Sequence, residues 1–366
     1  MRPAERSAGR SPFQTEVPVR ITAIRSLDFA NGNYRALFPL QQLARRGHDV
    51  SINLEGEPRF NLRRLLRSDL VLIHRLGDDE IVRLIPMLQE QGVAVVWDDD
   101  DDLTSIPKES PLYRRMGGVN ASRALLRLRR IVGSVDAVTT PSRVLAQRFA
   151  AAGAEHVYVL ENYVPTHIEP VVLRRTPPLT VGWVAGLEHQ VDAQRLGIPE
   201  TLERLLADNP SIQVVTVGLG LGLKSDRYGH VPKVQYDALP NLIGHFDVGI
   251  APVSDSPFNR ARSNIKVKEY AIIGVPWLAS DVPAYAGLGE KQGGRLVADD
   301  GWHEALDTLL RDAKARVRLS KNAGKWAKTQ RIDRHAAAWE QVFEATLERF
   351  HSRSGAGRTV AQTIAP

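Results

Sequence analysis

Residues 247–285 read DVGIAPVSDSPFNRARSNIKVKEYAIIGVPWLASDVPAY. An apolar strand ends at Pro252, a polar loop follows, and a helix begins near Ser263. The loop brings Asp255, Asn259, Arg262, Ser263 and Asn264 to that helix's N-terminus. Unpaired backbone N–H groups and the helix dipole favour an anion at such a place. Lys266 and Glu269 stand three apart and share a helical face. A lysine there neutralises a diphosphate, and a carboxylate one turn later accepts hydrogen bonds from two ribose hydroxyls. The alternative reading is a solvated helix with a Lys–Glu pair.

Outward from this stretch, strand and helix patterns alternate. VRITAI (19–24), HDVSINL, SDLVLIHR (68–75), GVAVVWD (92–98) and VDAVTTPS (135–142) read as strands, with YRALFPLQQLARRG a helix ending at Gly47. Ser142 is placed to cap the helix RVLAQRFAAAG. The pattern pauses at the proline-rich PTHIEPVVLRRTPPL (165–179), then restarts with TVGWVAG and IQVVTVG. Helical sequence runs from Trp302 to about Phe350. The alternation predicts an α/β protein with two Rossmann-like domains facing a cleft. The expected divisions are a disordered tail (1–17), an N-terminal acceptor domain (18–165), a linker (166–179), a C-terminal donor domain (180–335), a helix (336–351) and a second disordered tail (352–366). Ligands should collect where strand C-termini face the cleft.

The 366 residues suffice for two cores, and the 25% charged and 43% apolar content is that of a globular protein. No apolar run approaches the roughly 20 residues of a membrane span, and the N-terminus lacks the apolar core of a signal peptide. The absence of cysteine excludes disulfides and thiolate metal sites. A cytoplasmic enzyme is expected. The net charge of +6 points to an anionic partner. Arg114, Arg115, Arg123, Arg127, Arg129 and Arg130 fall in a segment without an acid. That segment reads as a surface helix or as a docking face for anionic lipid or an acidic acceptor, with peripheral membrane localisation in the second case. No aromatic interleaving supports nucleic acid.

Glu269, Tyr270, Gly274, Pro276, Ala279 and Ser280 fit a frame of helix-borne Glu followed by G-x-P-x-x-A-S. This resembles the donor site of GT-B glycosyltransferases, in particular the large retaining, glycosyltransferase family 4-like group. The resemblance implies that a nucleotide-diphosphate sugar is the donor substrate, that Glu269 binds its ribose, and that Ser263 and Lys266 lie near the diphosphate. It implies no cofactor and no essential metal, since side chains and helix dipoles neutralise GT-B donors. Gly182, Gly186 and His189 in VGWVAGLEHQVD would lie in the loop beside the phosphates, although a surface histidine is an equal reading of His189. Asn31, Gly32 and Tyr34 resemble the family's flexible entry loop, contacting donor phosphate or acceptor. Where the family places a second Glu, eight residues before the ribose Glu, this chain has Ala261. That role is then missing or has moved to Asp255 or Asn259.

The segment VVWDDDDDLTSIP (95–107) sets Asp98 to Asp102 at the end of a central strand. Side chains alternate along a strand, so only some of the five reach one direction. Asp98 and Asp99 are expected to face the cleft and to serve acceptor hydroxyls or act as base. Asp101 and Asp102 are expected to cap the next turn or face solvent. A wholly solvated acidic turn is the alternative. The functional expectation is transfer of a sugar to an unidentified acceptor. The rivals are a noncatalytic GT-B-like partner subunit, suggested by Ala261, and a Rossmann-type oxidoreductase. The second needs a dinucleotide fingerprint that neither AIRSLDFANGN nor VTVGLGLG supplies.

Overall fold

The computed structural model describes residues 18–25, 32–52, 61–115, 121–169 and 178–363. It contains two parallel sheets. In the first, β1 (Arg20–Ile24), β2 (Asp49–Ile52), β3 (Leu70–His74), β4 (Ala94–Asp98), β5 (Ala137–Thr140) and β6 (Val157–Val159) stand in the order β2-β1-β3-β4-β5-β6. In the second, β7 (Leu179–Ala185), β8 (Ile212–Gly218), β9 (Tyr228–Val231), β10 (Val248–Ala251), β11 (Trp277–Ser280) and β12 (Gly294–Val297) stand in the order β12-β11-β10-β7-β8-β9. This is the expected α/β architecture with two Rossmann-like units.

The central strands are buried along their whole length, as LVLIH in β3 and AVVWD in β4 show. Strands covered by helices on both faces read as continuous apolar runs rather than alternating ones. The outer strands β9 and β12, half-exposed and carrying YGHV and GRLV, give no such run and are missed by pattern reading. Gly182 and Gly249 pair across β7 and β10. A Cβ on Gly182 would lie 2.1 Å from the Phe246 ring, so the glycine admits that ring against the sheet. The expectation that Gly182 contacts donor is corrected on this ground: it is a packing residue inside a strand. Gly274, at φ 85°, ends the Ile265–Ile273 helix in the left-handed region, which a side chain would strain.

The last helix, Ala336–Thr363, returns to the first sheet. Trp339, Phe343, Leu347 and Phe350 join the core of Ile21, Leu40, Leu72 and Val96. His48 and Arg46 hold Glu340 at 2.8 and 2.5 Å. The helix is continuous past residue 351, where a disordered tail was expected; AGRTVAQT carries on its turn. Asn31 and the first tail lie outside the described residues.

Candidate functional site

The cleft's C-terminal wall grows from two strand ends. After β7 the chain turns at Gly186 into a short turn, Leu187–His189, and a helix, Gln190–Arg195. Asp192 on that helix is buried and gathers the next loop around it. It accepts the Ser254 N–H at 3.0 Å, the Ser254 hydroxyl at 2.7 Å and the Asn259 Nδ2 at 2.7 Å. His189 Nδ1 lies 3.1 Å from its other oxygen. Burial opposes the Asp192 carboxylate, but these bonds outweigh it and hold its pKa below the usual range.

On this wall two polar atoms are left over. Asn259 Oδ1 and Arg262 Nη1 are buried and have no hydrogen-bond partner. Arg262 Nη2 reaches Glu188 at 3.5 Å. Burial raises the Glu188 pKa, but His189 and Arg262 prevail and bring it down to about 2. Both leftover atoms belong to residues lining a cavity of about 60 Å³ between the domains, together with His189, Ser263, Lys266 and Tyr285. A third such atom, Asp100 Oδ1, belongs to a residue lining the same cavity from the other domain. Buried polar atoms without partners are costly, so a wall that keeps them is shaped for a ligand that satisfies them.

The N-terminal wall is the aspartate loop. Asp98 is fully buried, ion-paired to Arg35 at 2.6 Å and bonded to the Thr139 hydroxyl at 2.6 Å. Arg35 also donates to the Leu160 carbonyl and to Asn162 Oδ1 at 3.0 Å. The expectation that Asp98 faces the cleft is thereby corrected: its strand position turns it into the sheet's end, where it secures Arg35. Beyond Asp98 the chain leaves the strand, and alternation no longer applies. Asp99 accepts the Asp100 N–H at 2.8 Å and turns toward a second cavity behind the loop, not toward the cleft. Asp100 and Asp101 line the cleft instead. Asp102 caps the turn, accepting Thr104 Oγ1 at 2.6 Å and bonding Arg148. All five are buried, not solvated.

Arg75 holds this crowd. It has φ 62°, a left-handed conformation uncommon for a long side chain, directly after β3. Its guanidinium lies 3.4 Å from Asp99 and 3.2 Å from Asp100, and bonds Asp101. The carboxylates divide accordingly. For Asp99, burial exceeds the attraction of Arg75 and lifts the pKa to about 8. For Asp100, burial is overcome by Arg75 and His74, and the pKa falls.

Glu269 sits above the cleft. Lys266 reaches it at 2.6 Å, and the Tyr34 hydroxyl, 2.8 Å from that of Tyr236, donates to it from the other domain. Further ties cross the cleft: Asn162 Nδ2 to Ser263 Oγ at 3.0 Å, Ser142 Oγ to the Ala261 carbonyl at 2.6 Å, and buried Lys268 to Glu161 at 3.0 Å. Ser142 also caps its helix, accepting the Leu145 N–H at 3.1 Å. Ala261 is fully buried in the N-terminal core, so no donor group fits at its side chain. Of the two stand-ins, Asn259 lines the cleft, whereas Asp255 is exposed and paired with Arg260 at 2.6 Å. Asn264 is half-buried beside the helix start and lies outside the cavity lining. Gly186 packs under the Glu188 carboxylate, which a Cβ would meet at 2.1 Å. Gly32 has ordinary helical angles, φ −57° and ψ −23°, so glycine is not required there.

Among the described residues, no group of three His, Asp or Glu side chains is arranged to hold a metal ion. None of their helices is long and apolar enough to cross a membrane. Pattern reading missed Asp192, Ser254, Arg75 and Asp100. Asp192 carried a signal, since it stands one helical turn after His189.

Solved structures with this architecture are numerous. Sucrose-phosphate synthase from Thermosynechococcus elongatus superposes with a TM-score of 0.64 at 14% identity, covering 90% of this chain and 100% of that one. The fold is GT-B. Anabaena HepE, described in complex with UDP-glucose, shares the GT-B fold at TM-score 0.61 and 14% identity, covering 89% of this chain and 99% of that one. A glycosyltransferase from Rickettsia africae gives TM-score 0.61 at 10% identity, covering 91% and 99%. No protein-family model matches the sequence, and no curated protein does.

Proposed function

We propose that this GT-B protein transfers a sugar from a nucleotide-diphosphate sugar to a hydroxyl-bearing acceptor. The observation that carries the reading is the unsatisfied buried donor Arg262 Nη1 on a cavity wall beside the N-terminus of the Ile265–Ile273 helix, with the unsatisfied acceptor Asn259 Oδ1 left for a sugar hydroxyl. Arg262, Lys266 and the helix N–H groups supply positive charge for a departing diphosphate, and Ser263 and His189 add hydrogen bonds. These groups neutralise the diphosphate without a metal ion. HepE, of the same fold, is described with UDP-glucose, which supports a donor of that class. Glu269 receives the ribose by exchanging its present partners for sugar hydroxyls. The 60 Å³ between the domains is too small for a whole nucleotide sugar, so the walls part to admit it. On the acceptor side Asp99 takes the hydroxyl proton, and Asp101 orients the hydroxyl.

Thermal shift and calorimetry with UDP, GDP, ADP and their sugars test the reading. One nucleotide diphosphate should raise the melting temperature through occupancy, and the effect should shrink in Glu269→Ala. Donor binding without hydrolysis or transfer would favour a noncatalytic subunit. Indifference to every nucleotide diphosphate would overturn the proposal. Turnover should persist in EDTA; complete loss restored by Mn²⁺ would reverse the claim of metal independence. The exposed Arg123, Arg127 and Arg129 keep the docking face for anionic lipid or an acidic acceptor as a separate proposal, tested by sedimentation with anionic vesicles.

A further inference from the structure

A second cavity, of about 260 Å³, lies behind the aspartate loop within the N-terminal domain. It is larger than the space between the domains, and Asp101 lines both. Its walls are mostly apolar: Trp97 and Phe149 meet edge to face at 5.4 Å, and Leu103 and Leu128 close the sides. Trp97 has its N–H committed to the Leu76 carbonyl at 2.9 Å, so the indole offers only its apolar surface. The polar end carries both charges: Arg75, already drawn to the aspartates, and the exposed Arg127 line it beside the carboxylates. Asp99, Asp101 and Asp102 border it, and Asp102 is fully engaged by Thr104, Ser105 and Arg148. Among the described residues, Asp99 Oδ2 accepts no hydrogen bond, since both backbone N–H groups go to Oδ1.

An anionic acceptor meets four carboxylates against two arginines, Arg75 being already paired with Asp99 and Asp101, and a bare sugar leaves Trp97, Phe149 and the leucines against water or polar groups, which forgoes their burial. We propose that the cavity receives the apolar body of an uncharged acceptor, a hydroxyl joined to an aryl or hydrocarbon group, with the hydroxyl held at Asp99 and Asp101. The inference rests on the glycosyltransferase reading and names the class of its second substrate. The shared Asp101 explains how a body in the cavity and a donor between the domains meet at one hydroxyl.

The test uses phenyl β-D-glucopyranoside, glucose and glucose 6-phosphate as probes in calorimetry on the full chain, with UDP, GDP and ADP titrated separately. The phenyl glucoside should bind at least tenfold more tightly than glucose, and glucose 6-phosphate more weakly than either. Ala124→Trp, from the cavity-lining helix, should abolish phenyl glucoside binding while UDP affinity and melting temperature hold. Leu103→Trp repeats the block from the opposite side should the first variant be unstable. A phenyl glucoside that fails to bind, binds no better than glucose, or binds both blocked variants overturns the cavity assignment whatever UDP does. Failure of UDP, GDP and ADP alike overturns the donor reading and leaves the cavity result to stand by itself.

Discussion

On the C-terminal wall of the cleft Asp192 is surrounded by donors, and two further carboxylates, Glu188 and Glu269, are each matched by a cation, Arg262 and Lys266. On the N-terminal side five carboxylates, Asp98 to Asp102, share Arg35, Arg75 and Arg148, and two of them, Asp100 and Asp101, line the cleft. The first arrangement has one spare buried donor, Arg262 Nη1, beside Lys266 and suits an anion. The second has acceptor capacity to spare and suits hydroxyls. On the proposed function, such unequal walls would separate the two substrates by charge: a diphosphate held against the acidic wall would lose its counter-charges and face like charges at once.

The difference is most sharply broken at Asp98, which is structural though it begins the acidic run. Asp98→Asn leaves Arg35 buried without a counter-charge, at a cost of about 3–5 kcal/mol. A large fall in denaturation midpoint is expected. An unchanged midpoint would show that Asn162 and the Leu160 carbonyl suffice for Arg35. Next in size, Arg262→Ala should weaken nucleotide-diphosphate binding by about ten- to a hundredfold, the range of one or two charge-assisted hydrogen bonds. The midpoint should fall modestly, because Nη1 has no partner to lose but the loss of Nη2 leaves the Glu188 carboxylate with His189 alone. Equal affinity in the variant would remove Arg262 from the donor wall.

The acidic wall has its own signature in pH. The Asp99 pKa of about 8 in the folded state lies above that of an unfolded aspartate. The native state therefore binds more protons between those values, and this group makes stability fall as pH rises through that window. A base must be deprotonated, so kcat/KM should rise with pH and level off above about 8. Asp99→Asn should erase that limb with at least a tenfold loss of transfer, while UDP binding persists. A variant that keeps both activity and limb would exclude Asp99 as the proton acceptor.

Much of the fold was legible because buried parallel strands announce themselves: VRITAI, SDLVLIHR and GVAVVWD need no partner to be recognised. The half-exposed YGHV and GRLV carry no comparable signal, because pairing alone makes them strands. In the proposed donor wall, geometry was legible where local spacing fixes it: Lys266 and Glu269 do meet on one helix, at 2.6 Å. Asp192 and Ser254 were not, since they meet only when two loops are folded against each other. The aspartate run failed differently. Alternation holds while the chain is extended, and the strand ends at Asp98, so directions beyond it depend on Arg75, a residue 24 positions earlier or more. Gly182 misled for a simpler reason: a glycine that admits the Phe246 ring looks, in sequence, like one that admits a phosphate.

The smallest effect expected concerns the join between the walls. Tyr34 donates from the N-terminal domain to Glu269, the carboxylate assigned to ribose. In the closed cleft this bond occupies an oxygen that ribose hydroxyls require, so nucleotide binding must displace it. A hydrogen bond between these groups is worth about 1–2 kcal/mol. Tyr34→Phe removes the competitor and keeps the ring's contacts with Phe38 and Tyr236, centred 5.6 and 5.5 Å away. Nucleotide affinity should therefore improve by up to about tenfold, with the gain in the association rate if opening is what limits entry. Glu269→Ala in the same background should cancel the gain, since the freed oxygen is then absent. If Tyr34→Phe instead weakens binding while Glu269→Ala also does, Tyr34 holds Glu269 in its receiving position and the two act in sequence. If Tyr34→Phe alters nothing, the carboxylate is not the group that ribose meets.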